Sequence, residues 1–210
     1  MGNVLSILFC LSLFYVSVTS RVKAYVAVLR IQGVILSVLM LIPFLYNFSI
    51  FGIILPATLI LVKVFLIPRY INKVIIDLDI KRRIEPTIQQ MTFLPLVIAS
   101  VIVIFLVSNI LSQYTEMDVI PFASGFSAIV IGIYIIMFRK KLIVHVCGFL
   151  ILENGIFLFG TAVASELPMM IELGTLLDVF VVVFLMGIAL NRISSTLEGF
   201  EVTHLGRLKD

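Results

Sequence analysis

Seven apolar stretches, each about as long as a bilayer crossing, leave this chain very few ways to fold. They run over Val4–Thr19, Tyr25–Tyr46, Ile50–Tyr70, Met91–Ser112, Pro121–Phe138, Leu142–Ala164 and Met169–Leu190. A membrane helix needs about 20 mostly apolar residues. In hydrocarbon every backbone polar group must also be paired within the structure, which a helix does by itself. Composition agrees: 61% of residues are hydrophobic and 13% charged, whereas a soluble domain carries about 25% charged residues. The fold expected is therefore an all-α integral membrane protein of seven transmembrane helices. The first run has no basic residues before it, and Arg21 and Lys23 follow it. That order is the reverse of a secretory signal peptide, so it is read as an uncleaved span.

Charge placement tests the span count. Basic residues flank the first loop (Arg21, Lys23, Arg30), fill the third (Arg69 to Arg83) and the fifth (Arg139, Lys140, Lys141), and follow the last span (Arg192, Arg207, Lys209). The loops between carry no Lys or Arg, so every basic residue except Lys63 falls on one side. By the positive-inside rule that side is cytoplasmic, with the N-terminus outside and the C-terminus inside. The expected location is a prokaryotic cytoplasmic (inner) membrane, multi-pass. The net charge of +3 is then no sign of nucleic acid, since these cations border the spans. Residues 1–120 form a four-helix region, 121–192 a three-helix region and 193–210 a cytoplasmic tail. Between about 71 and 90, Ile71, Val74, Ile75 and Leu78 recur at helical spacing among charges. That pattern fits an amphipathic helix on the membrane surface or a continuation of the third span. Gly125 and Gly132 mark a close helix contact in the fifth span. Cys10 and Cys147 lie in apolar runs without metal-ligand spacing and read as reduced, packed thiols.

Three ionisable residues remain deep in the membrane: Lys63, Glu153 and Asp178. A charge at that depth costs about 2.5–3.5 kcal/mol on insertion scales, and such residues face a bundle interior and mark ion or proton pathways. At 1.5 Å per residue, Glu153 lies about 18 Å and Asp178 about 21 Å from the cytoplasmic edge, with Lys63 somewhat nearer to it. Blander readings exist for each. Lys63 could snorkel to the interface, and Lys63 with Asp178 could form a structural ion pair. Glu153 carries the strongest case, because burial disfavours a carboxylate's charge while a nearby ammonium favours it. Secondary candidates are His145, as a proton-entry group or a helix-end hydrogen-bonding partner, Glu172 near the outer surface, and Asn154 as an interhelical hydrogen-bonding group. Gln32 and Arg30 are placed at the cytoplasmic mouth or against another subunit. The chain holds no nucleophile triad, phosphate-binding glycine loop or metal-ligand spacing, so it is not expected to be an enzyme by itself.

Three segments resemble one known family. Lys63-Val64-Phe65-Leu66-Ile67-Pro68, Gly148 through Leu152-Glu153-Asn154-Gly155, and Glu166-Leu167-Pro168 through Asp178 are similar, in that order, to hydrogenase-4 component E. The C-terminal three helices are in turn similar to the K subunit of respiratory complex I and the C subunit of multisubunit sodium/proton antiporters. Arg139-Lys140-Lys141, Gly148 and Asn154 sit where the complex I subunit has a basic loop, a glycine and an asparagine. The carboxylate of that subunit lies about one turn earlier than Glu153.

The resemblance implies a non-catalytic membrane subunit of a group 4 nickel–iron hydrogenase or formate hydrogenlyase. Glu153, Lys63 and Asp178 would contribute to a lateral proton or sodium path. No cofactor is implied in this chain; nickel–iron and iron–sulfur centres would belong to partner subunits. The partners implied are antiporter-like membrane subunits, the core membrane subunit and, indirectly, the peripheral hydrogenase subunits. The alternatives are a subunit of a multisubunit cation/proton antiporter or another complex I-like assembly, and a stand-alone seven-span transporter.

Overall fold

A computed structural model of the chain describes residues 2–44, 56–57, 59–77, 90–114, 117–163 and 187. Its elements are helical throughout: α1 (Gly2–Val18), α2 (Val22–Phe44), a π-helical segment (Ile60–Leu66), α3 (Ile67–Asp77), α4 (Gln90–Leu111), α5 (Val119–Phe138) and α6 (Leu142–Val163). Four of them, α2, α4, α5 and α6, are long and apolar enough to cross a membrane. At 17 residues, α1 is a shorter apolar helix. The described parts of the first six expected spans thus fall on helix, apart from Thr19 and Ser112 at span ends; the start of the third span lies outside the described residues, and its helix runs on past Tyr70 to Asp77. The expected seventh span and the tail lie outside the described residues, apart from Gly187.

The third span differs from a plain helix. Between Ile60 and Leu66 the turns widen, and the Ile67 N–H donates to the Val62 carbonyl five residues back. Pro68 supplies the reason. A proline has no N–H to give and its ring clashes with the carbonyl four residues earlier, here that of Val64. Opening the turn into a π-bulge relieves the clash at the cost of regular bonding. Beyond the bulge α3 runs on without a break, burying Ile71, Val74 and Ile75 while Arg69, Lys73 and Ile76 stay exposed. The described first part of the amphipathic segment, 71–77, is thus a continuation of the third span; residues 78–89 lie outside the described ones.

The most extensive helix contact joins α5 to α6, consecutive antiparallel helices linked by a short turn. Glycines decide how close they come. A Cβ on Gly125 would lie 2.4 Å from the Phe159 backbone nitrogen and 2.8 Å from the Gly155 oxygen. One on Gly132 would lie 2.7 Å from the Gly148 oxygen, and one on Gly155 would lie 2.7 Å from the Gly125 oxygen. Gly125 therefore faces Gly155 and Gly132 faces Gly148, and on each helix a seven-residue step returns to the same face. Such small-residue seams let backbones meet where lipid offers no hydrophobic drive for association. The expectation for Gly125 and Gly132 holds, and Gly148 and Gly155 complete it.

Around this hairpin α1 packs on α5, α2 packs on α1 and α6, and the π-helical segment packs on α2. Buried Phe9, Leu13, Tyr25, Leu36, Ile131, Ile135 and Ile151 belong to the resulting core. Most of α4 stays outside it, exposing Ile102, Val103, Leu106, Val107 and Ile110.

One basic residue behaves unlike its neighbours. Arg139, read as one of the basic residues of the fifth loop, is buried. Its Nη2 donates to the Ser17 carbonyl at 3.2 Å, and its guanidinium lies 5.0 Å from the centre of the Phe93 ring. A cation is favourable at the carbonyl end of a helix, and a guanidinium also stacks on an aromatic face. Arg139 thereby ties the α5–α6 turn to the end of α1 and to α4. Lys140 remains exposed.

Candidate functional site

Glu153 sits near the middle of α6, on the helix that the glycine seam holds against α5. Across from it, the widened turn of the third span brings in Lys63. Its Nζ lies 2.6 Å from Glu153 Oε1, and both side chains are only 4% exposed. The same ammonium donates to Asn154 Oδ1 at 3.0 Å. Lys63 therefore does not snorkel to an interface. It turns inward onto α6, which disposes of the cost of leaving either charge alone in a dry interior.

The backbone around Lys63 is closely fitted. A Cβ on Gly33 of α2 would lie 3.1 Å from Lys63 Cβ and 3.2 Å from Val64 Cγ2. The missing side chain at Gly33 lets the π-helical turn approach α2, and that approach sets the distance from Lys63 to α6. Gly33 was not singled out by the sequence, where it is one glycine in an apolar run.

Beyond Asn154 the polar contacts continue across the bundle. Asn154 Nδ2 donates to Gln32 Oε1 at 3.2 Å. Gln32 Nε2 donates to Ser12 Oγ at 3.0 Å, and Ser12 Oγ donates to the Phe9 carbonyl at 2.6 Å. Each bond points the same way, and chemistry fixes that direction. An ammonium can only donate, so the Asn154 oxygen must face Lys63 and its amide nitrogen must face Gln32. The same logic then orients Gln32 and the Ser12 hydroxyl. The row links the π-helical segment, α6, α2 and α1, and aligned hydrogen bonds of this kind polarise one another.

Gln32 corrects the sequence reading. The sequence places it at the cytoplasmic mouth or against another subunit, because the second apolar run begins at Tyr25, which puts Gln32 in its first turns. The helix begins earlier, at Val22, so Gln32 lies near its middle and is fully buried. Arg30, grouped with it, is exposed on another face. Ser12 was missed altogether. A serine in a membrane helix can satisfy itself on its own backbone, so nothing in the sequence set it apart.

The remaining candidates separate from the pair. The His145 ring meets the carbonyl of Arg139 at the turn before α6. It lies eight residues from Glu153, about 12 Å along the helix, and takes the helix-end role. Asp178 and Glu172 lie outside the described residues. Cys10 and Cys147 are buried free thiols, as expected. Among the described residues no group of three His, Cys, Asp or Glu side chains could hold a metal ion.

The chain is similar to a mycobacterial protein. The uncharacterized protein Rv0085 of Mycobacterium tuberculosis (strain ATCC 25618 / H37Rv) is 26% identical over 87 residues. The match covers 41% of this chain and 40% of that protein. No family model and no solved structure matches the chain.

Proposed function

We propose that this chain is a non-catalytic membrane subunit of a redox-driven ion-translocating complex, of the group 4 nickel–iron hydrogenase or formate hydrogenlyase type. Its seven spans leave the N-terminus outside and the C-terminus in the cytoplasm of a prokaryotic inner membrane. In this reading Glu153 and Lys63 are one station on a lateral proton or sodium path, with Asp178 as a further station. Antiporter-like subunits and the core membrane subunit lie beside it, and the metal centres sit in peripheral partners.

The observation that carries the reading is the buried contact of Lys63 with Glu153. A carboxylate and an ammonium in hydrogen-bond contact can exchange a proton or separate when a neighbouring charge arrives. Apolar residues of similar volume would fill the same space with less desolvation, so keeping the pair points to use. The π-helical turn supports this, because such bulges are frequent at functional sites. They also give a helix a second arrangement without unfolding it.

The test is Glu153→Gln in the assembled complex. The substitution keeps size and hydrogen bonding to Lys63 but removes the ionisable group. Donor-driven ion uptake into inverted membrane vesicles should fall at least about tenfold, a barrier change of ~1.4 kcal/mol, with the complex still assembled. Unchanged uptake would remove Glu153 from the path.

A further inference from the structure

We infer that the groove between α2 and α3 binds the phosphate headgroup of an anionic phospholipid. On α2, Lys23, Ala27 and Arg30 follow one another at four- and three-residue steps and so share a face. They line a cavity of about 410 Å³ whose far wall is Asn72 and Ile76 of α3. A second cavity, of about 590 Å³, is lined by Leu66, Arg69, Tyr70 and Lys73 together with the same Asn72 and Ile76. Arg69, Lys73 and Ile76 repeat the helical step, so α3 adds its two cations to the second cavity, which shares the Asn72 and Ile76 wall with the first.

Two cations thus line each cavity, and among the described residues lining them none is a carboxylate. The amide of Asn72 and the Tyr70 hydroxyl add hydrogen-bond donors that suit phosphate oxygens. The walls identify which phosphate. Ile76 is 72% exposed and Leu66 47% exposed, and Val26 and Ala27 continue the apolar lining. A free phosphate would gain nothing from that apolar surface, whereas a lipid lays its chains along it while its headgroup meets the cations. Basic pockets between membrane helices bind lipid headgroups by this division of labour. Neither Lys63 nor Glu153 is among the residues lining the groove, so the inference does not depend on the ion path.

The experiment transfers the full-length chain from membranes into nanodiscs made of equal amounts of phosphatidylglycerol and phosphatidylcholine. Lipids retained by the protein are then counted by native mass spectrometry. The wild type should retain phosphatidylglycerol in preference. Arg30→Gln and Lys73→Gln should each lower that preference about fivefold, the effect of one cation near the headgroup. Arg30→Lys and Lys73→Arg should keep it. Added inorganic phosphate should leave retention unchanged. A wild type without preference, or glutamine variants that match it, would overturn the assignment. Displacement by inorganic phosphate would show a simple anion site. Loss of the lipid preference together with cross-links from Lys73 to an acidic segment of another protein would give the groove to a protein partner instead.

Discussion

The two sides of α6 are built on opposite principles. Towards α5 the helix presents Gly148 and Gly155, and the contact is backbone on backbone, with no room for one methyl group. Towards the third span it presents Glu153 and Asn154, and the contact is a pair of charges with amides behind it. The first side is fixed by sterics, which tolerate almost no displacement. The second is fixed by hydrogen bonds to a lysine on a π-helical turn. A carboxylate that must keep its place while its partner moves would be mounted in this way, with the rigid seam behind it and the adaptable turn in front.

The contrast breaks hardest at the charged side. Lys63→Met leaves Glu153 without its ammonium and should destabilise the protein by about 3–5 kcal/mol, as removal of one member of a buried pair does. Replacing both, Lys63→Met with Glu153→Leu, should recover most of that loss. Thermal denaturation in detergent reads both, and a double variant as unstable as Lys63→Met alone would mean that the charges are not each other's main partner.

The glycine side comes next. Gly125→Ala puts a methyl group against the backbone of α6, and overpacking of this kind costs about 1–3 kcal/mol. Gly33→Ala meets side-chain atoms at 3.1–3.2 Å and the Lys63 backbone no closer than 3.4 Å, and should cost less. If the two substitutions proved equally mild, the seam would not be the rigid side.

Smallest of all should be the amide row. An interhelical hydrogen bond between membrane helices averages about 0.6 kcal/mol and reaches ~1.7 at most, so Gln32→Leu should scarcely lower the melting temperature. Its expected effect is on Lys63, since Asn154 loses the partner that holds its oxygen towards the ammonium. Ion uptake in vesicles should therefore fall more than stability does. A loss of stability without change in uptake would make the row purely structural.

How much of this could be read beforehand follows from what each residue disturbs. Glu153 and Lys63 break apolar runs, and a charge in hydrocarbon cannot be ignored, so both stood out and their similar depth made contact reasonable. Asn154 stood out by adjacency. Gln32 was seen but misplaced, because depth was counted from the start of hydrophobicity and the helix starts before it. Arg139 looked like any loop cation, since sequence does not reveal that Phe93 and the end of α1 close over it. Ser12, Gly33 and the π-helical turn left almost no trace. A serine, a glycine and a proline are all compatible with an ordinary membrane helix, and only the approach of neighbouring helices makes them specific.

The central claim is that Lys63 and Glu153 act as one unit in ion movement, and it is tested most directly by combining their substitutions. Donor-driven ion uptake is measured in inverted vesicles carrying Glu153→Gln, Lys63→Met, or both, in assembled complexes. If the residues act together, each single variant loses about tenfold and the double variant loses no more, because the second change removes nothing that still works. Losses that multiply in the double variant would show two independent roles, and full uptake in either single variant would contradict the account.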